Sequence, residues 1–132
     1  MTCIYPGFLI VEKFHCEGET TYEKGKPLEI SVFLELSHTI SGEGSVELHI
    51  LRKRFWSYQR IHSKRMPLML DTSARCIKRM YLLCVPGYET REFNGGEILK
   101  IRFMVQMSGE SVSGETSWTI VNKEEFSQVL LS

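Results

Sequence analysis

The segment Arg52-Lys53-Arg54-Phe55-Trp56-Ser57-Tyr58-Gln59-Arg60-Ile61-His62-Ser63-Lys64-Arg65 sets six cations among three aromatic rings and contains no acid. Cations track phosphates while rings stack on bases, so this mixture suits single-stranded nucleic acid. It equally suits a membrane surface, with Phe and Trp at the interface and Lys/Arg on anionic headgroups, or a protein with an anionic face. A third reading is a strand end and loop whose rings enter the core while the charges stay solvated. The candidate contact residues are Arg52, Lys53, Arg54, Phe55, Trp56, Arg60, Lys64 and Arg65.

Other side chains with chemical potential are scattered. His15, His38, His49 and His62 fall on different elements without ligand spacing, and His49 is expected to point out of its strand beside Glu47. Cys3, Cys16, Cys76 and Cys84 form no CxxC pair, so they read as reduced thiols serving as small buried apolar residues. A zinc site built on His15-Cys16 lacks paired ligand spacing. There is no GxSxG elbow, phosphate-binding glycine loop or HExxH helix. Gly95-Gly96 could approach a phosphate, but a turn between strands explains it. No catalytic, cofactor-binding or metal-binding residue is assigned, and the expectation is a non-enzymatic protein without cofactor or small-molecule substrate.

The formal net charge is zero, yet the charge is segregated. Residues 1–47 carry three basic and eight acidic side chains, residues 48–88 nine and one, and residues 89–132 four and seven. A cationic middle steers toward an anionic partner. The acidic flanks count against a dedicated nucleic-acid binder, whose charge is normally positive overall. A protein partner is the leading expectation, with a membrane surface or nucleocapsid behind it and nucleic acid last.

These side chains must be held by strands. Leu28, Ile30, Val32, Leu34 and Leu36 alternate with Glu29, Ser31, Glu35 and Ser37, the period of a half-buried strand. After Ser41-Gly42-Glu43-Gly44, Val46, Leu48 and Ile50 resume it, which predicts a β-hairpin joining the two strands. Leu99, Ile101, Phe103, Val105 and Met107 mark a strand over Ile98–Met107. Weaker strands are expected over Phe8–His15 and Thr116–Val121. Met80–Val85 reads as a strand covered on both faces or a short buried helix. Asn94-Gly95-Gly96 and Pro86-Gly87 read as turns, and Ser108–Gly114 as a loop. Asn122 with Glu125 resembles a capping box for a helix carrying Phe126, Val129 and Leu130. Asp71 or Thr72 would cap a helical turn through Lys78.

The expected fold is therefore mainly β with some α: an antiparallel sheet or sandwich of about six strands with one or two short helices. The 132 residues suit a single globular domain spanning 1–132. No apolar run is long enough to span a bilayer. Met-Thr-Cys-Ile-Tyr-Pro-Gly lacks the features of a signal peptide, so the expected address is intracellular.

Met66-Pro67-Leu68-Met69-Leu70-Asp71, Ile77-Lys78-Arg79-Met80-Tyr81-Leu82, the Ile98–Met107 strand, Glu110-Ser111 and Trp118 together resemble the globular core of a rhabdovirus matrix protein over about residues 62–120. The family's lysine-rich N-terminal arm and PPxY motif have no counterpart in this sequence. The resemblance implies a matrix-like viral structural or accessory protein, in host cytoplasm, nucleus or virion, acting through protein, membrane or nucleocapsid contacts of its basic segment. The alternative is an immunoglobulin-like or arrestin-like β-sandwich interaction module of a cellular protein, consistent with Tyr22-Glu23-Lys24-Gly25-Lys26-Pro27 leading into a long alternating strand.

Overall fold

In the computed structural model, residues 9–39, 42–70, 75–107 and 109–123 are described. Eight strands and one helical turn follow in chain order: β1 (Leu9–Gly18), β2 (Thr21–Tyr22), β3 (Leu28–His38), β4 (Gly42–Arg54), β5 (Ser57–Leu70), β6 (Cys76–Val85), α1 (Gly87–Thr90), β7 (Glu97–Met107) and β8 (Glu110–Asn122). They form a three-stranded sheet ordered β1-β3-β6 and a five-stranded sheet ordered β2-β8-β7-β4-β5. All pairings are antiparallel except β2 with β8, which is parallel over two residues. The mainly β, sandwich-like class expected from alternation is the observed one.

The core lies between the sheets because each strand's apolar period faces inward. Ile30, Val32, Leu34 and Leu36 of β3 meet Val46, Leu48 and Ile50 of β4 and Leu99, Ile101, Phe103 and Val105 of β7 in one buried cluster. On β8 the strand opposite Phe103 carries Gly114, and a Cβ there would lie 2.6 Å from the Phe103 ring. The absent side chain lets that ring lie over the neighbouring strand, where it packs on Phe14 with centroids 4.5 Å apart.

Several local expectations are corrected. Segments β3 and β4 do not form a hairpin: β3 pairs with β1 and β6, whereas β4 pairs with β5 and β7. Their apolar faces oppose each other across the core, an arrangement that period-two alternation permits as readily as pairing in one sheet. Residues 110–114 are strand, not loop, because Ser111 and Ser113 occupy the solvent face while Val112 pairs with Val105. Cys76–Lys78 begin β6 instead of ending a helical turn. Met80–Val85 is an edge strand covered on one face, with Met80 and Leu82 exposed. Pro86-Gly87 opens α1, whose buried Thr90 donates from Oγ1 to Lys26 O at 2.8 Å and accepts from Gly25 N–H at 3.1 Å. The helix expected beyond Asn122 falls on residues outside the described ones after Lys123, and so do Asp71 and Thr72, the caps expected for the turn through Lys78; Asn122 itself ends β8.

Candidate functional site

The basic segment, aperiodic in the sequence, is a β-hairpin. Leu51 pairs with Arg60, Arg52 with Gln59, Lys53 with Tyr58 and Arg54 with Ser57, leaving Phe55 and Trp56 as a two-residue turn. A register shift follows Ile50, which pairs with His62, so Ile61 is extra and the alternation changes phase inside the segment. That shift hid the strand. Phe55 adopts φ 46°, in the left-handed region that two-residue hairpin turns require and that bulky residues avoid.

The hairpin turns its rings outward. Phe55 is 89% exposed and Trp56 100% exposed, which rules out the reading in which they enter the core. Lys53, Arg54, Arg60 and Arg65 are exposed as well. Among the described residues, Lys53, Arg54 and Arg60 form no ion pair. The last registered pair between β4 and β7 is Arg52 with Leu99, so the rungs of Lys53 and Arg54 run past β7's registered pairing.

Arg52, expected to be a contact residue, is instead buried at 4% exposure. It continues the inward period of Val46, Leu48 and Ile50, just as Glu97 continues that of Leu99 and Ile101 on β7. Arg52 Nε donates to Glu97 Oε1 at 2.5 Å and Nη2 to Glu97 Oε2 at 3.1 Å. Nη2 also donates to Glu92 O at 3.1 Å, and the guanidinium lies 4.9 Å from the Phe93 centroid. Glu97 in turn accepts from Asn94 N–H at 2.9 Å. This bidentate pair fastens the base of the hairpin to the loop before β7. A charged pair continuing two apolar periods at one end of a sheet was the sequence signal for it.

Lys64 is also diverted. Its Nζ donates to Leu82 O at 3.3 Å, bridging the edge strand β5 to the edge of the other sheet. With Pro67, it makes β5 a poor template for further strand pairing.

On the outer face of the five-stranded sheet, the hairpin's cations join two that the sequence reading did not collect. Lys100 Nζ lies 3.9 Å from the Tyr58 centroid and 3.2 Å from Glu115 Oε1, and Arg102 Nε donates to Glu115 Oε2 at 3.2 Å. Hydrogen bonds from Lys100 and Arg102 hold the Glu115 carboxyl below its usual range. His49 does face outward with Glu47, its Nε2 2.8 Å from Glu47 Oε1. That hydrogen bond, reinforced by the charges of Arg65 and Arg60, keeps the Glu47 carboxyl low. Cations therefore outnumber acids here, and those nearest the turn are the ones without carboxylate partners. The arrangement can neutralise anionic groups while covering two rings.

The remaining candidates do not converge. His15 and Cys16 are strand neighbours pointing to opposite faces: His15 stacks on Phe33 at 4.7 Å, while Cys16 turns inward. They cannot share a metal ion. Burial pushes the Cys16 thiol up to about 12. Cys76 is exposed, contrary to the expectation of a buried thiol, and its Sγ donates to Glu35 Oε1 at 3.7 Å. Cys3 lies outside the described residues. Beside the His15–Phe33 stack is an open groove of about 300 Å³, lined by residues including Lys13, Glu35, Lys78 and Met80. No described helix is long and apolar enough to cross a membrane.

No protein-family model matches the chain, and no curated protein matches it. Solved structures do. A glycosyl hydrolase family 2 member from Bacteroides cellulosilyticus has a TM-score of 0.61 at 13% identity, over 86% of this chain and 15% of that one. A beta-glucuronidase from Parabacteroides merdae has a TM-score of 0.55 at 10% identity, over 85% of this chain and 14% of that one. The C-terminal domain of wzt gives 0.52 at 9% identity, over 89% and 74%. At such identities the likeness concerns fold alone. This chain spans about 15% of the length of the first of these enzymes. The rhabdovirus resemblance rests on residues 62–120 of the sequence and gains nothing from these neighbours.

Proposed function

We propose that this chain is a non-catalytic β-sandwich binding module whose β4–β5 hairpin is the contact for an anionic partner. The observation that carries the reading is the full exposure of Trp56 and Phe55 in a turn flanked by Lys53, Arg54 and Arg60. Soluble domains do not normally place two adjacent large rings in water beside cations that lack acidic partners. Phe55's positive φ adds to this, because Gly or Asn would make the same turn with less strain. The recurrence of the sandwich as a small fraction of much larger chains supports a module that works alongside other domains.

Retention on immobilised heparin, a generic polyanion, tests the electrostatic half. The triple variant K53E/R54E/R60E is expected to elute at distinctly lower salt than the wild type while melting at the same temperature. Phe55→Ala and Trp56→Ala are likewise expected to leave the melting temperature unchanged, because neither ring is packed. Unchanged heparin elution of the triple variant would remove the hairpin as the anionic contact.

A further inference from the structure

We propose that the anionic partner of the hairpin is a lipid surface, with Phe55 and Trp56 entering the boundary between headgroups and acyl chains. The inference rests on the hairpin being the contact and adds the class of partner. Its basis is the order of chemistry along the strand axis. The two rings form the turn itself. At about 3.3 Å per residue, Arg54 sits roughly 3 Å behind the turn, Lys53 roughly 7 Å and Arg60 roughly 13 Å. Interfacial segments bury their apolar part about 5–10 Å into that boundary. With the rings at that depth, Arg54 and Lys53 fall among the headgroup phosphates and Arg60 at the aqueous edge.

The aromatic chemistry fits the same layer. Trp prefers the membrane interface, where an apolar ring body and a polar N–H are both accommodated. Buried acid does not oppose the approach, since Glu97 at the hairpin base is neutralised by Arg52 within the sandwich. A single-stranded nucleic acid fits less well. It needs rings laid along the cationic track so that successive bases stack while phosphates are neutralised. Here the cations run down both strands away from the turn, so a chain following them meets the rings only at one end.

The test uses the intact chain with phosphatidylcholine vesicles, with and without about one-third phosphatidylserine. Cosedimentation is expected with the anionic vesicles and not with pure phosphatidylcholine. Each surface cation contributes roughly fivefold to partitioning, so losing three costs about a hundredfold, and K53E/R54E/R60E, which also adds three like charges, should bind at least that much more weakly. Binding should also collapse near 1 M salt, where the screening length falls to about 3 Å. Trp56→Ala should weaken binding at least about tenfold without altering the heparin elution, because the ring contributes by burial and not by charge. Acyl-brominated lipid should quench part of the indole emission, and Trp56→Phe should abolish that part while leaving the contribution of Trp118.

Persistent heparin retention without cosedimentation would overturn the lipid assignment and leave the hairpin as a contact for another anionic partner. Cosedimentation with no brominated-lipid quenching, or with Trp56→Ala at wild-type strength, would overturn ring insertion and with it this proposal. Tighter binding of an oligouridylate than of anionic vesicles, lost in Trp56→Ala, would assign the hairpin to nucleic acid instead.

Discussion

Replacing Arg52 by Met keeps most of the side chain's length and removes its charge, so it isolates what the buried ion pair contributes. The variant loses both bonds to the Glu97 carboxylate, the bond to Glu92 O and the contact with the Phe93 ring. Glu97, 7% exposed, would be left as an uncompensated buried charge, retaining only its bond from Asn94 N–H. Breaking a buried pair from one side costs about 3–5 kcal/mol, a large part of the ~5–15 kcal/mol that holds a domain of this kind folded. At about 4 °C per kcal/mol, the melting temperature should fall by about 12–20 °C. Lys53→Met, one residue away and exposed, should stay within about 0.5 kcal/mol of the wild type. The double variant R52M/E97M removes both charges and should recover much of the loss, short of what Asn94 N–H forfeits. Thermal and urea denaturation of the wild type, R52M, E97M, K53M and R52M/E97M read all of this. An R52M variant within about 0.5 kcal/mol of the wild type would refute the account, as would a double variant no better than the sum of the single ones.

Two further outcomes follow from other contacts. Gly114→Val places branched carbons where the Phe103 ring now lies and should cost about 1–3 kcal/mol in urea denaturation, whereas Ser113→Val on the solvent face should cost far less. Glu115 should titrate below its ordinary value of 4.5 when followed by carboxyl NMR, and Lys100→Met should raise it. Because its folded value is depressed, whatever it contributes to stability is present above the unfolded value and lost as pH falls through the folded one.

The inward faces of β3, β4 and β7 were legible because period-two alternation directly encodes which side chains meet the core. Leu34, Leu48 and Ile101 are all buried as that pattern requires. Pairing was not legible, because alternation gives a strand's faces and not its neighbours. The short stretch after β3 looked like hairpin chemistry, yet the chain crosses there to the opposite sheet. The strand in residues 110–114 escaped notice for a different reason: its inward positions are Glu110, Val112 and Gly114, and of these only Val112 carries a hydropathy signal. In β5 the register shift opposite Ile50 reverses the phase of the alternation, so a continuous edge strand looked aperiodic.

The candidate site was half legible, and the reason is electrostatic. A run of cations in a sequence is one feature; a β-hairpin distributes it over two faces, an edge and a turn. Arg52 faces inward, where charge is tolerable only beside Glu97, so it became part of the frame. Lys64 leans over an exposed sheet edge and acts on strand pairing. Arg65 lies opposite Glu47 across the β4–β5 ladder and helps keep that carboxylate charged. Lys53, Arg54 and Arg60 remain, exposed within four rungs of the turn that carries the rings. The count of charges therefore overstated the contact surface about twofold, while the rings, read equally well as core, were what defined it. For a strand-built binding module, the informative unit is not the charged block but the turn that interrupts it. Side chains in the ladder answer to the sheet, and those at the turn are free to answer to a partner.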